Sequence, residues 1–358
     1  MRRTFTLLLF LIVLIYAREG YKTWCSAWEV EPALCGALSD IAGEVKAIPL
    51  QHAHGKAIDS ARQVRQDRGN LFFISEQVLY RYTNHGEFVC AITDPAQMDP
   101  RMYVVDPVRE ELIVFGNRDD VYYYDYNGQL LDKRKMDDDG QPYRRILSVN
   151  WSQNHLLSIE ENSYTNPDTG EVNVKKEVVT YDRDLQRLDA RTLCAVDLGR
   201  PSFLLELIDP QLCVDPDTGR LVVYSPSIDP GYLPSDTAYL ENNWRTELMV
   251  ASVGGSVPVV PVRRAGRFWL SSLYDARGDE ENPAGYTFYA DPARHESKTV
   301  AGGMQDDFYD TGRVHLEPMD VSHRSFCYAQ SGEAVKKLFP EGSPAGNTVV
   351  FIVQMKEA

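Results

Sequence analysis

Residues 71–92, LFFISEQVLYRYTNHGEFVCAI, read as three short strands joined by tight turns, and 41 residues further on the same grammar returns. Residues 112–136, LIVFGNRDDVYYYDYNGQLLDKRKM, again supply an apolar strand, a polar turn, an aromatic alternating strand, an Asn-Gly turn and a closing strand. A repeat of this kind forbids most folds. A small twisted sheet has two faces to bury and can bury them only against neighbouring copies of itself. The landmark strands begin at Leu71, Leu112, Leu156 and Leu221, so successive steps are 41, 44 and 65 residues. The last step is stretched by an insertion at residues 161–171, and a second insertion, at 225–243, follows Leu221. Residues 268–274 and 284–290 fit a fifth, abbreviated unit, and residues 314–318, 325–329 and 349–354 fit a sixth. The expected architecture is all-β: a six-bladed β-propeller with up to four strands per blade. An isolated early strand, VKAIPL at 45–50, has no adjacent partner and is expected to pair with residues 349–354, closing the ring and covering its edges.

Within the first unit, alternation places Val78, Tyr80 and Tyr82 on one sheet face and Leu79 and Arg81 on the other. Asn84-His85-Gly86 is the expected hairpin turn, with Gly86 free to take positive φ. In the third and fourth units the corresponding turns are Arg183-Asp184 and Gly254-Gly255. The 20 Tyr, 13 Phe, 24 Gly and 20 Pro among 358 residues agree with strands and turns rather than helices. A net charge of −15, with no long basic run, argues against a nucleic-acid partner.

The chain opens with Arg2 and Arg3 followed by an uncharged apolar core, LLLFLIVLIYA. That is the form of a secretory signal, shorter than the ~20 residues a spanning helix needs, so residues 1–17 are expected to be a cleaved peptide. Ile15 stands where a small residue favours cleavage, which leaves the processing site and a retained anchor open. No Leu-small-small-Cys run precedes Cys25 or Cys35, so a lipid-modified cysteine has no support in these residues. Residues 18–44 then serve as a lead-in and 45–358 as the propeller domain, placed in the periplasm or cell envelope. Six cysteines lie far apart with no CxxC pair, which argues against zinc. Cys90, Cys194 and Cys327 sit in apolar strand patterns and read as small buried hydrophobes. Cys25 and Cys35 are the closest pair in sequence where disulfides are permitted.

The chain resembles the exported six-bladed propeller proteins common in the cell envelope of Bacteroides-type bacteria, related in shape to NHL-repeat and TolB-like propellers. The resemblance spans residue 45 to the end and rests on IPL at 48–50, the NLFFIS and LYRYTNHGEFV pieces of the first blade, and SGEAVKKLFPEG with NTVVFIVQMK within 331–356. Where family members often carry a Gly-rich, Pro-Gly-Glu type loop after the first blade, this chain has TDPAQMDP at 93–100. The resemblance implies a fold and an envelope location. Most members of the group have no established biochemical activity.

No Gly-x-Ser-x-Gly elbow, Walker loop, dinucleotide fingerprint or HExxH helix is present. His52 and His54 form an HxH pair without an identifiable third ligand, and no cofactor is identified. The acidic runs at 137–140 and 215–219 lack EF-hand spacing and read as turns. Propellers gather ligands at the channel mouth, where innermost strands begin and loops from several blades converge. The candidates there are Ser60 and Arg62, then Arg101 and Tyr103, Arg144 and Arg145, Ser202, Arg267 and Trp269, and finally Asp306, Asp307 and His315. Arginines with an aromatic suit a carboxylate, phosphate or acidic sugar; the bland alternative is a wet channel lined by polar side chains. Two functions follow. One is a non-catalytic envelope propeller binding a small molecule, glycan or protein partner at this mouth or through inserted loops carrying Tyr164, Tyr232 and Tyr239, with Trp244 adjacent. It meets the membrane only through its N-terminal signal or anchor. The other is a hydrolase or lyase of the lactonase or glycan-processing kind, using Asp306 and Asp307 with a divalent metal.

Overall fold

The computed structural model describes residues 36–116, 120–136, 143–152, 155–165, 168, 170, 172–197, 211–214, 221–224, 256–275, 285–291, 294, 296–320, 325–339 and 347–356. The N-terminal apolar segment, Ser202 and the insertion at 225–243 lie outside them. A short 3-10 turn, Leu38–Asp40, leads into β1 (Ala42–Pro49). The first blade is β2 (Arg62–Asp67), β3 (Asn70–Ser75), β4 (Val78–Thr83) and β5 (Phe88–Ala91). The second is β6 (Met102–Asp106), β7 (Glu111–Phe115), β8 (Asp120–Asp125) and β9 (Leu130–Lys135). The third is β10 (Tyr143–Ser152), β11 (His155–Thr165), β12 (Val172–Tyr181) and β13 (Arg187–Asp197). A two-stranded ribbon, β14 (Gln211–Val214) and β15 (Leu221–Tyr224), follows. The next blade is β16 (Ser256–Ala265), β17 (Phe268–Asp275), β18 (Gly285–Asp291) and β19 (Glu296–Ala301). After it come a second ribbon, β20 (Met304–Asp306) with β21 (Gly312–Val314), then β22 (Glu317–Pro318), β23 (Ser325–Ser331) and β24 (Thr348–Met355).

Four blades are therefore meanders of four consecutive antiparallel strands, and a fifth four-stranded sheet is composite, ordered β1-β24-β23-β22. The expectation of six blades is not met among the described residues. Two causes are visible. The fourth unit appears only as the β14–β15 ribbon, its remaining expected strands lying outside the described residues. The sixth unit is broken, because the expected strand at 314–318 splits into the end of β21 and the two-residue β22. The fold is all-β and propeller-like.

Closure takes the expected form. β1 runs antiparallel to β24, with Val45 opposite Val353 and Ile48 opposite Val350. The period of two then decides the packing of β24. Val349, Phe351, Val353 and Met355 bury against Phe268, Leu270 and Tyr289 of the β16–β19 blade. Val350 and Ile352 bury with Ile48 against Val64, Leu71, Phe73 and Tyr82 of the first blade. The same logic joins the first blade to the second through Phe72, Ile74, Leu112 and Val114, and the second to the third through Ile113, Tyr123, Leu156 and Val179. The first strands of neighbouring blades touch, β2 with β6 and β6 with β10, which puts them on the inner side of the stack. Every residue of β9 but one is exposed, as an outermost strand requires.

Two local findings bear on the site. Residues 161–171 are expected as an inserted loop, but 161–165 continue β11 and pair with β12, Glu161 with Lys176 and Thr165 with Val172. Residues 268–274 are expected to open the fifth unit, but β16 precedes them. Pro258 and Pro261 disguise β16 as a non-strand, and its pairing with β17 slips at Pro258/Val260 and again at Val260/Arg263. Gly86, at φ 84°, fills the expected turn, where a Cβ would collide with the Pro49 carbonyl of the closing strand.

Candidate functional site

The segment 313–317, Arg-Val-His-Leu-Glu, is extended, so its side chains alternate. Val314 and Leu316 turn into the core shared with the β16–β19 blade, while Arg313, His315 and Glu317 face out. The Gly302-Gly303 pair, at φ 69° and 96°, makes this possible. A Cβ at Gly303 would strike the Val314 carbonyl and crowd the His315 ring, and one at Gly302 would strike the Arg313 guanidinium. Opposite this row, Asp59, Ser60 and Ala61 approach the start of β2, and the ends of β23 and the start of β24 complete the wall. Together they enclose a pocket of about 320 Å³. Its rim is anchored by the Asn347 side-chain amide donating to Asp59 Oδ1 at 2.7 Å and by the Thr348 hydroxyl donating to the Ile58 carbonyl. Gln330 donates to the Arg313 carbonyl at 3.2 Å.

Removal of water by the pocket walls lowers the pKa of His315 below its usual value of 6.5, so the ring is neutral at pH 7 and offers one donor and one acceptor. Cys327 lines the floor beside Val64. Burial pushes its thiol up to about 12, so it stays protonated and serves as packing rather than as a nucleophile. Cys90, half-buried, is unpaired like Cys327.

The pocket brings together Ser60 of the first unit and His315 of the last. The other candidates go elsewhere. Arg62 and Arg101 are exposed at the starts of β2 and β6, where the Gln63 side chain donates to the Arg101 carbonyl at 2.8 Å. Tyr103 is in the core, 1% exposed, with its hydroxyl donated to the Gln63 carbonyl at 2.7 Å and its pKa raised by burial. Arg144 belongs to a buried polar chain in the third blade: it donates to the Tyr181 hydroxyl at 3.3 Å, which donates to Glu160 at 2.7 Å. Arg145 is exposed, 3.9 Å from Glu161. Arg267 occupies the turn after β16 and so sits at the far end of its blade from the other candidates; Trp269 lies in β17, and its side chain is outside the described residues.

Asp306 is wholly buried and acts as a turn lock. Its carboxylate accepts the amides of Phe308 and Tyr309 at 3.1 Å each and both the amide and hydroxyl of Thr311. Asp307 accepts the amide and hydroxyl of Ser39 at 2.9 and 2.5 Å. Partial burial works to raise its pKa, but the Ser39 hydrogen bonds outweigh that and hold it below 3.8. The two carboxylates thus point to separate structural partners and do not converge. Among the described residues, no three His, Cys, Asp or Glu side chains gather as a metal site would require. Arg313, Glu317 and Asp59 are functional-site residues not singled out from the sequence, although the alternation Arg-x-His-x-Glu at 313–317 is legible in it.

No family model matches the chain, and no curated protein matches it. Among solved structures the chain is similar to a Bacteroides fragilis protein classed as exported, with a TM-score of 0.57 at 11% identity over 91% of this chain and 98% of that one. Further matches are to the CNH domain of AfRom2, at TM-score 0.40, 10% identity and 87% and 98% coverage, and to the Neurospora crassa Pan2 WD40 domain, at 0.30, 9%, 83% and 76%. The first of these likenesses establishes the propeller-like fold; the other two carry no argument. Among the described residues no helix is long and apolar enough to cross a membrane.

Proposed function

We propose that the protein is a non-catalytic propeller of the cell envelope that binds a hydroxyl-rich small molecule, such as the terminal sugar of a glycan. The observation that carries this reading is the pocket itself. It sets acceptors at Asp59 and Glu317 beside donors at Arg313 and Ser60, with neutral His315 able to do either. Such a mixed set suits hydroxyl groups, each of which both donates and accepts, better than a single net charge. At about 320 Å³ the volume lies at the small end of ligand sites and fits roughly one monosaccharide ring. An envelope location is supported by the signal-like residues 1–17 and by the exported status given to the Bacteroides fragilis neighbour. The hydrolase or lyase alternative would need its acids elsewhere, since Asp306 and Asp307 are consumed by turn amides and Ser39.

A thermal-shift screen of the mature protein against neutral monosaccharides tests the reading. The expected result is stabilisation by at least one sugar that is lost in His315→Ala and Arg313→Ala, both at exposed positions, with circular dichroism checking that each variant folds. Absence of any sugar-induced shift, or a shift that survives both substitutions, overturns it.

A further inference from the structure

At the opposite end of β24 lies a second, larger concavity of about 910 Å³. Thr348, at the start of β24, belongs to the sugar pocket, whereas Ile352, Gln354, Met355 and Lys356 belong to this groove; likewise Val64 of β2 lines the first and Gln66 the second. The two sites therefore open on opposite faces of the stack. The groove gathers four cations, Lys46, Arg267, Arg294 and Lys356, against two carboxylates, Asp40 and Glu44, in a chain whose net charge is −15.

Asp40 is already engaged, accepting from the Tyr289 hydroxyl at 2.8 Å and lying 3.4 Å from Lys298. Arg267 and Arg294 share a single buried carboxylate, Asp291 Oδ2, at 3.1 and 3.7 Å. One negative charge held by two guanidiniums leaves local positive charge unbalanced. The Arg267 guanidinium lies 4.8 Å over the Phe268 ring, which fixes its plane, and its Nε is buried without a hydrogen-bond partner. Lys356 donates to the Ser39 carbonyl at 2.6 Å, which holds its ammonium at the wall. With a Debye length of about 8 Å at physiological salt, the acidic remainder of the protein is largely screened and the groove's own cations set the local field.

We propose that this groove is an oxyanion site, taking a carboxylate- or phosphate-bearing small molecule. Guanidiniums can each donate two parallel hydrogen bonds to a pair of oxygens on either group, and the flanking amines add charge without demanding geometry. The site is independent of the sugar pocket and does not rest on it.

Calorimetric titration of the full chain with inorganic phosphate, with galacturonate and with neutral galactose tests the proposal, each repeated in Arg294→Gln/Lys46→Gln. Both replaced side chains are exposed, so the variant is expected to fold, and circular dichroism checks that it does. Binding of phosphate or galacturonate, weakened about tenfold or more in the variant and by added salt, supports the site. Which of the two binds assigns the phosphate or the carboxylate chemistry. The proposal is overturned if neither anion binds, if galactose at the groove binds as well as galacturonate, or if the variant binds as tightly as the parent. His315→Ala should leave anion binding unchanged, so failure of the sugar site and failure of this one are separately visible.

Discussion

The two ends of β24 share their strands and differ in their chemistry. At the start of the strand, a narrow pocket mixes Asp59, Glu317, Arg313 and His315; at its end, a wide groove collects Lys46, Arg267, Arg294 and Lys356. The strand residues between them are almost wholly apolar and face the cores on either side. The contrast teaches where specificity resides in such a stack. Blade interiors are largely committed to burying each other, so the chemistry of both sites comes from turns, from the ribbon β20–β21 and from β1, β24 and the segments flanking them.

The sharpest way to break the comparison is to attack what the ends share. Phe351 is fully buried, stacked on Tyr328 at 4.5 Å and tilted against Tyr309 at 5.3 Å. Phe351→Ala is expected to cost about 3–5 kcal/mol, read from urea unfolding, and to weaken ligands at both ends together. Loss at one end alone would mean that the ends are not coupled through β24. A smaller change separates them. Gly303→Ala forces a side chain into a left-handed backbone and towards the Val314 carbonyl, at a cost of about 1–2 kcal/mol. Sugar-dependent stabilisation should fall with it while phosphate or galacturonate binding holds.

The smallest expected effect is in the pH dependence of stability, again different at the two ends. Because the folded pKa of His315 lies below 6.5, the unfolded chain takes up its proton first, and stability is lost as pH falls through 6.5 towards the folded value. His315→Gln should flatten that part of the curve. Asp307, also depressed, contributes stability above 3.8 that disappears only as pH falls further. Asp307→Asn should leave the curve above about pH 5 unaltered and flatten its acid limb. Equal effects of the two variants at the same pH would remove the distinction.

Much of the fold was legible because strand alternation is a local signal. VYYYDYNG at 121–128 declares both its buried face and its turn, and β8 with its hairpin followed. The closing pair of β1 and β24 was readable by elimination, since an apolar strand without a neighbour must find one at a distance. The failures have equally specific causes. Pro258 and Pro261 hid β16, so Arg267 was assigned to the wrong end of its blade. Tyr103 and Arg144 begin inner strands as expected, but whether such a residue faces the channel or the next blade depends on packing between blades, which alternation alone does not settle. Asp306 is the plainest case. A carboxylate that locks a turn and one that performs chemistry are identical in sequence, and only the four donors around it tell them apart.

The composite sheet also sets an order of events. Val45 and Val353, which face each other across it, are separated by more than 300 residues of chain. Individual meanders are local structures that can form as soon as their own forty or so residues are available, but this seam is among the most non-local contacts the chain can make. Emerging vectorially, the chain must wait with β1 and the first blade's flank uncovered until β24 arrives. Its most vulnerable interval therefore lasts until β24 has been made, and deleting Thr348–Met355 should be far more damaging than its length suggests.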